Sequence, residues 1–364
     1  MTEEKWYHYW WYSINGLSNE KKKLLSKNKI NPEDIYNIEE TQKKYPFKEW
    51  FTEEEIEKIK TSRAIKEWKK EYRKMKEEGA RLVCWEEEAY PKRLKTLSGM
   101  PYALFVKGQL PEEDVVSVAI VGARNCSTYG ERMTLQFAEQ LAQEGVQIIS
   151  GMARGIDGAA HRGALNVSGR TFAVLGCGAD ICYPKEHKGI YHDIQNNGGI
   201  VSEYLPGTPP LARHFPARNR LISGLSDVVL VMEAKERSGS LITADMALEQ
   251  GRDIYALPGP INSELSKGCN YLIRQGAGIL LEPEDILEEL SIKIRPKREN
   301  CQKNKKILES KEEIVYSKLG LFARGREELL QLTGFHPQEL AGILLSLELR
   351  GYIKEISKNY YIVK

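Results

Sequence analysis

The chain has 364 residues, with 53 Lys and Arg against 51 Asp and Glu and a formal net charge of +2. Any polyanion-binding surface must therefore be a local concentration of cations and not a property of the whole chain. The opening MTEEKWYHYW sets no apolar run behind a positive stretch, so no signal peptide is expected, and no run of about 18 apolar residues marks a membrane span. The six cysteines are scattered without a CxxC pair, which suits reduced thiols in a cytoplasmic protein.

Residues 1–78 are rich in Lys, Glu and aromatics. Asn31 and Pro32 suit an N-cap and a first helical position, and Ile56, Ile59, Trp68, Tyr72 and Met75 recur at roughly helical spacing. A small all-helical domain is expected. The aromatics from Trp6 to Tyr12 have two readings, a stacking surface for nucleic acid or the core of that domain, and the usual burial of aromatics favours the core.

From residue 79 to 290 the texture changes. RLVCW, ALFVKG, SVAIVG, VQIISG, TFAVLG, GIVSEY, DVVLVME, DIYALPG and GILLE read as strands, with amphipathic stretches such as YGERMTLQFAEQLAQEG between most of them. Near-continuous apolar strands alternating with helices predict an α/β fold, a Rossmann-like, doubly wound, mostly parallel sheet covered on both faces. Residues 291–306, within SIKIRPKRENCQKNKK, are polar and basic and read as a linker. Residues 307–364 give three helical patterns and two short strands around an SKN turn, the element order of a winged helix. The last of those helical patterns, HPQELAGILLSLELRG, is apolar and acidic, which favours packing or protein contact over DNA reading.

In SVAIVGARNCSTYG a strand runs into a loop and then a helix, an arrangement that often holds a phosphate. A dinucleotide would need GxGxxG and an acid after the next strand, yet Gly122 is followed by Ala123 and Arg124 and the next strand ends Ser150-Gly151. No GxxxxGK[ST] occurs, so ATP hydrolysis is not expected. What remains is a set of cations on loops after strands: Arg124, Arg154, Lys185, then Arg213, Arg218 and Arg220, with no Asp or Glu between Tyr204 and Asp227. His214, Phe215 and Tyr183 lie among them, and cations interleaved with aromatics suit single-stranded nucleic acid. Any one of these arginines alone is better read as half of a surface salt bridge. Ser238, Gly239, Ser240 and Thr243 open a further helix whose free amides would face an anion, or make an ordinary N-cap. Cys177, Cys182, His187 and His192 fall at intervals of five, a looser spacing than structural zinc sites use, so no metal is expected. Asp157 and His161, at i and i+4, read as capping and packing residues before an acid–base pair.

The segments VGARNCSTYG, IISGMARGIDGAAHRGAL, VLGCGADICYPKEH, GGIVSEYLPGTPP, FPARNRLISGLSDVVLVMEA, SGSLITADMALEQGRDIYALPG and GCNYLIRQGA, in this order, resemble the DNA-processing protein A family (DprA, also called Smf). The flanking domains look like that family's N-terminal sterile-alpha-motif-like domain and C-terminal winged helix. The resemblance implies a cytoplasmic bacterial protein, a homodimer through the Rossmann-like domain. It binds and protects incoming single-stranded DNA and loads the RecA recombinase during natural transformation. It also implies DNA contacts at Arg124, at Lys185 and in the Phe-Pro-x-Arg-Asn-Arg motif, here Phe215, Arg218, Asn219 and Arg220. Gly122, Ser127, Thr128, Arg154, Ser238, Gly239 and Ser240 complete the expected DNA-binding set, with no cofactor. The alternative is a nucleotide-hydrolysing enzyme of the lysine-decarboxylase-like phosphoribohydrolase type, in which Asp245 or Glu249 would supply the carboxylate.

Overall fold

The computed structural model describes residues 5–290, 310–319 and 323–363, so the expected linker at 291–306 lies outside the described residues. The chain divides into two units, Met1–Lys293 and Ile294–Lys364.

The first unit begins with seven short helices: α1 (Lys5–Ser13), α2 (Asn19–Lys27), α3 (Pro32–Tyr36), α4 (Ile38–Thr41), α5 (Phe47–Trp50), α6 (Glu53–Ser62) and α7 (Trp68–Glu77). Their starts are written locally. Asn31 accepts the amide of Glu33 with Pro32 behind it, and Thr52 and Glu55 form a reciprocal capping box. The apolar periodicity across residues 53–77 is broken into two helices around the exposed Ile65. Trp10 and Trp11 are fully buried, and their indole N–H groups donate to Ser62 Oγ at 2.9 Å and to the Lys22 carbonyl at 3.2 Å. These rings are interior, with their polar handles satisfied. The interior is shared, however: Tyr9 and Tyr12 pack edge-on against Phe105, and the Tyr12 hydroxyl donates to the Glu203 carbonyl. Short helices bury too little by themselves, and they complete their core on the sheet.

That sheet has nine strands among the described residues: β1 (Ala80–Cys84), β2 (Ala103–Gly108), β3 (Ser117–Val121), β4 (Gln147–Ser150), β5 (Thr171–Leu175), β6 (Gly198–Ser202), β7 (Val228–Val231), β8 (Asp253–Ala256) and β9 (Gly278–Ile279). Every predicted strand is present. The order is β1-β2-β6-β5-β4-β3-β7-β8-β9, with β1–β2 and β2–β6 antiparallel and the remaining pairs parallel. Helices α8 (Lys92–Lys95), α9 (Thr128–Gln143), α10 (Ile156–Asn166), α11 (Lys188–Asn196), α12 (His214–Gly224), α13 (Gly239–Glu249), α14 (Lys267–Arg274) and α15 (Pro283–Glu289) complete the unit. One face of β3, β4 and β7 packs on Phe137 and Leu141 of α9 and Ile156 and Ala160 of α10. The other packs on Leu221 and Ile222 of α12, Ala244 and Ala247 of α13, and Leu272 of α14. Strands covered on both faces are buried along their whole length, which is why they read as unbroken apolar runs.

The second unit runs α16 (Ser310–Lys318), β10 (Arg324–Gly325), α17 (Arg326–Thr333), α18 (Pro337–Leu349), β11 (Ile353–Ser357) and β12 (Tyr360–Val363), the predicted three helices and hairpin. A further short strand, β10, pairs with β12. Val315, Leu329, Leu340, Leu344, Leu347 and Ile353 form its core. Within α18 there is no Lys or Arg.

Candidate nucleic-acid interface

From β3 the chain winds one way through β4, β5 and β6, then returns to lay β7 against the other side of β3 and winds the opposite way through β8 and β9. The loops leaving β3 and β7 therefore diverge from neighbouring strand ends, and a crevice opens between them, as expected at the switch point of an open α/β sheet. A depression of about 590 Å³ lies there. It is lined by Gly122 to Asn125 after β3, by Lys235 and Ser238 to Ser240 after β7, by Phe215, Arg218 and Asn219 of α12, and by Tyr183.

The loop after β3 is held from beneath. Glu233, 3% exposed, accepts the Ser127 amide at 2.8 Å and the Ser127 hydroxyl at 2.5 Å, and its carbonyl accepts the Ala123 amide at 2.8 Å. Ser127 Oγ in turn accepts the Gly130 amide at 3.0 Å, capping α9. Gly155, at φ +69°, lets the loop lie on α10: a β-carbon there would stand 2.3 Å from the Ala123 carbonyl oxygen. With both ends tied, Arg124 is turned outward and exposed. Its guanidinium lies 5.3 Å from the centre of the Phe215 ring, and Phe215 lies 5.6 Å from Tyr183 with their planes at 32°. Among the described residues no carboxylate is within ion-pair distance of Arg124. The contact is a cation–π stack worth about 0.5–1 kcal/mol at an exposed site, which orients the guanidinium while leaving its donors free.

The other predicted arginines are placed differently. Arg218 is 4% exposed, donating to the Gly151 carbonyl at 2.7 Å, to the Val174 carbonyl and to Asn219 Oδ1 at 3.2 Å. It ties together the carboxyl ends of β4 and β5 from the floor of the depression. Burial pulls its pKa down. Beside it, burial pushes the Asp157 carboxyl above the ordinary range while Arg218 pulls the other way, and Asp157 accepts the Ala153 amide at 3.2 Å. Arg220 is paired bidentately with Glu203, at 2.7 Å and 2.5 Å, and Arg154 with Glu186. In the stretch without acids between Tyr204 and Asp227, Arg220 is thus neutralised by a carboxylate just outside it, Arg218 is buried, and Arg213 is exposed. Asn219 donates to the Gly239 carbonyl at 3.3 Å and so sets the start of α13, where the Ser238 and Ser240 hydroxyls lie 2.7 Å apart at the wall of the depression. Ser127 spends its hydroxyl on Glu233, and Thr128 is exposed at the first turn of α9. Neither lines the depression, nor do Arg154, Lys185 and Arg220. Lys185 is exposed beside Tyr183 and Pro184.

Two positions change the sequence-based picture. Lys235, exposed in the loop after β7, lines the depression and was missed; its place just past the carboxyl end of a central strand was the available signal. His214 is buried and stacked on Tyr204 at 4.1 Å, so it offers no face to a base. Asp245 and Glu249 are exposed on α13 and do not line the depression. His161 bonds Thr171 Oγ1 at 2.7 Å and not Asp157. His187 bonds the Met152 carbonyl, Cys177 approaches the Ile181 carbonyl, and among the described residues no three His, Cys, Asp or Glu converge as a metal site. Among the described residues, too, no helix is long and apolar enough to cross a membrane.

Comparison with known proteins agrees with the architecture. Residues 81–291 match the family model described as DNA recombination-mediator protein A, and residues 302–357 match the DprA winged helix domain. The chain is 50% identical over 210 residues to Protein Smf of Escherichia coli, covering 57% of this chain and 56% of that protein. It is 46% identical over 203 residues to DNA processing protein DprA of Streptococcus pneumoniae, covering 56% of this chain and 72% of that one. The X-ray structure of the Streptococcus pneumoniae protein superposes with a TM-score of 0.67 at 35% identity, over 80% of this chain and 99% of the other. DNA processing protein A from Helicobacter pylori, whose structure addresses its single-stranded DNA binding mode, superposes with a TM-score of 0.53 at 32% identity, over 58% and 95%. The matched strand ends and the loops leaving them carry the crevice just described, and the chain belongs to the DNA recombination-mediator protein A family of DNA-processing proteins.

Proposed function

We propose that the crevice between the loops after β3 and β7 binds single-stranded DNA. The observation that carries this reading is Arg124: exposed, without a carboxylate partner among the described residues, and laid over Phe215 with Tyr183 alongside. A backbone phosphate meets the free donors of Arg124, and an unstacked base reaches the Phe215 and Tyr183 rings, with Lys235 and Lys185 continuing the positive track. Bases within a duplex are already stacked and cannot make the second contact, so single strands are preferred. The Helicobacter pylori relative, described as binding single-stranded DNA, supports the choice of ligand.

The family reading extends this to a cytoplasmic protein that assembles as a homodimer through residues 79–290, protects incoming DNA and loads the RecA recombinase during natural transformation. Two copies would present two crevices and bridge DNA segments. Binding without catalysis is favoured by the position of Asp245 and Glu249, the carboxylates a phosphoribohydrolase would need, on a part of α13 away from the crevice.

Fluorescence anisotropy with labelled oligonucleotides tests the reading. Affinity should be higher for single than for double strands and fall steeply with salt as counterions are released. Arg124→Glu should weaken single-strand binding by about tenfold or more, since it adds repulsion to the loss of a contact. Unchanged affinity in a folded Arg124→Glu protein would remove the crevice from the reading, and sedimentation of the same samples as monomers at micromolar concentration would remove the dimer.

A further inference from the structure

The two helices that begin at the switch point start differently. At α13 the N-cap Ser238 makes no side-chain cap to its own helix, and Ser238 to Ser240 face the crevice. At α9, a helix of 16 residues, the N-cap Ser127 caps its own helix and is itself held by a carboxylate belonging to the chain. Glu233, two residues past the end of β7, is hydrogen bonded through both carboxylate oxygens to Ser127, the N-cap, and no cation pairs with it among the described residues. Its packing is close. A β-carbon on Gly130, in the first turn of α9, would stand 2.3 Å from the Glu233 carboxyl group, and one on Gly122 would stand 2.9 Å from its carbonyl oxygen. In dinucleotide-binding relatives of this architecture the N-terminus of the helix after the first strand of the doubly wound sheet receives the pyrophosphate, because its free amides and dipole favour negative charge. Here an internal anion takes that place, out of reach of solvent. Cys126, next to it, reports the same field: burial, then Glu131 and Glu233, push its thiol up to about 11.

We propose that Glu233 is a specificity-determining residue: its carboxylate occupies the anion seat at the start of α9, shutting out free phosphate and nucleotides, and by tying Ser127, while the backbone carbonyl of the same residue holds Ala123, it helps turn Arg124 outward toward a strand. One buried acid thus decides which kind of phosphate the fold takes. The second half of the proposal rests on the single-strand reading above; the first half does not.

The test uses the full-length protein and two variants. Glu233→Ser removes the charge and opens space below Gly130. Inorganic phosphate, titrated by calorimetry, should bind it about tenfold more tightly than it binds the wild type. The gain should survive in Glu233→Ser/Arg124→Ala, since the seat is not the crevice. Single-strand affinity should fall about three- to tenfold in Glu233→Ser and be largely restored in Glu233→Gln, which keeps an oxygen for Ser127 and the side-chain volume. A folded Glu233→Ser protein that binds phosphate no better than the wild type overturns the proposal. Should Glu233→Ser fail to fold, Glu233→Thr carries the test: it also removes the charge and shortens the side chain, so phosphate binding no stronger than in the wild type overturns the proposal equally. The phosphate titration contains no DNA, so a wild-type protein that ignores oligonucleotides would refute the single-strand reading and leave this result standing.

Discussion

The loop after β3 and the first turns of α12 both bring arginine to the carboxyl edge of the sheet, where Arg124 and Arg218 line the same depression. On the loop, Arg124 is exposed, touches an aromatic face and keeps its donors free. On the helix, Arg218 is buried and gives its donors to the carbonyls at the ends of β4 and β5, while Arg220 gives its own to Glu203. The residue type is the same and so is the neighbourhood; what differs is whether the protein has already supplied acceptors. A guanidinium whose acceptors are internal holds the crevice in shape, and one without them is available to a ligand.

Arg218 gives the largest expected separation of the two roles. Arg218→Met leaves the Gly151 and Val174 carbonyls without their donor and Asp157 without its neighbouring positive charge in a buried setting. Leaving a buried carbonyl without its hydrogen-bond donor costs about 1–3 kcal/mol for each group. Chemical denaturation should show a loss of that order, whereas Arg124→Ala should change stability by less than about 1 kcal/mol. Equal stability for the two variants would break the distinction drawn between them.

Acid should act on the buried side of the same comparison. Burial pushes His161 down to about 3, and its Nδ1 is bonded to Thr171. The unfolded imidazole takes up its proton near pH 6.5 and the folded one near 3. The stability contributed by the neutral ring is therefore whole above 6.5 and lost as pH falls from there toward 3. Between pH 7 and 5 this amounts to about 2 kcal/mol. Asp157 has the opposite sign: with its pKa raised, its contribution is present below the ordinary carboxylate value and lost as pH rises through the raised one. It offsets part of the acid loss only at the low end. Denaturation midpoints of the wild type and His161→Gln across pH 5 to 7 check this, and an equally steep fall in the variant would assign the acid sensitivity elsewhere.

Much of this was written in the sequence, and the part that was not has a physical reason. Strands buried on both faces must be apolar throughout, so the central strands announced themselves, as did the cap at Asn31. Arg124 was legible because a loop after a central strand has few places to go but the crevice. The partners of the other arginines were not. Glu186 lies 32 residues from Arg154 and Glu203 lies 17 from Arg220, distances over which charge patterning along the chain carries no signal. Glu233 was hidden for the same reason: it follows a strand 106 residues from the serine it holds. The N-terminal aromatics were rightly read as core, but that they share it with Phe105 depends on packing between elements, which periodicity does not encode.

The smallest expected effect concerns Arg154, which lies between the two extremes. Its side chain is 61% exposed and that of its partner Glu186 51%, so the pair is screened by water and contributes little to the fold. The pair matters through its neighbour: Glu186 follows Lys185 directly, so breaking the pair changes the charge beside a predicted DNA contact. Arg154→Ala leaves Glu186 unneutralised and should weaken single-strand binding by roughly twofold at low salt. Glu186→Gln leaves Arg154 free, converting a spent arginine into one like Arg124, and should strengthen binding by roughly twofold. Both shifts should shrink toward nothing at about 0.3 M salt, where exposed charges are screened within a few ångströms. Anisotropy titrations of the two variants at low and high salt decide the matter. Opposite signs make Arg154 a cation held in reserve at the edge of the crevice; weakening in both would mean that the ion pair acts by shaping the Tyr183–His187 turn, and would move Arg154 to the side of Arg218.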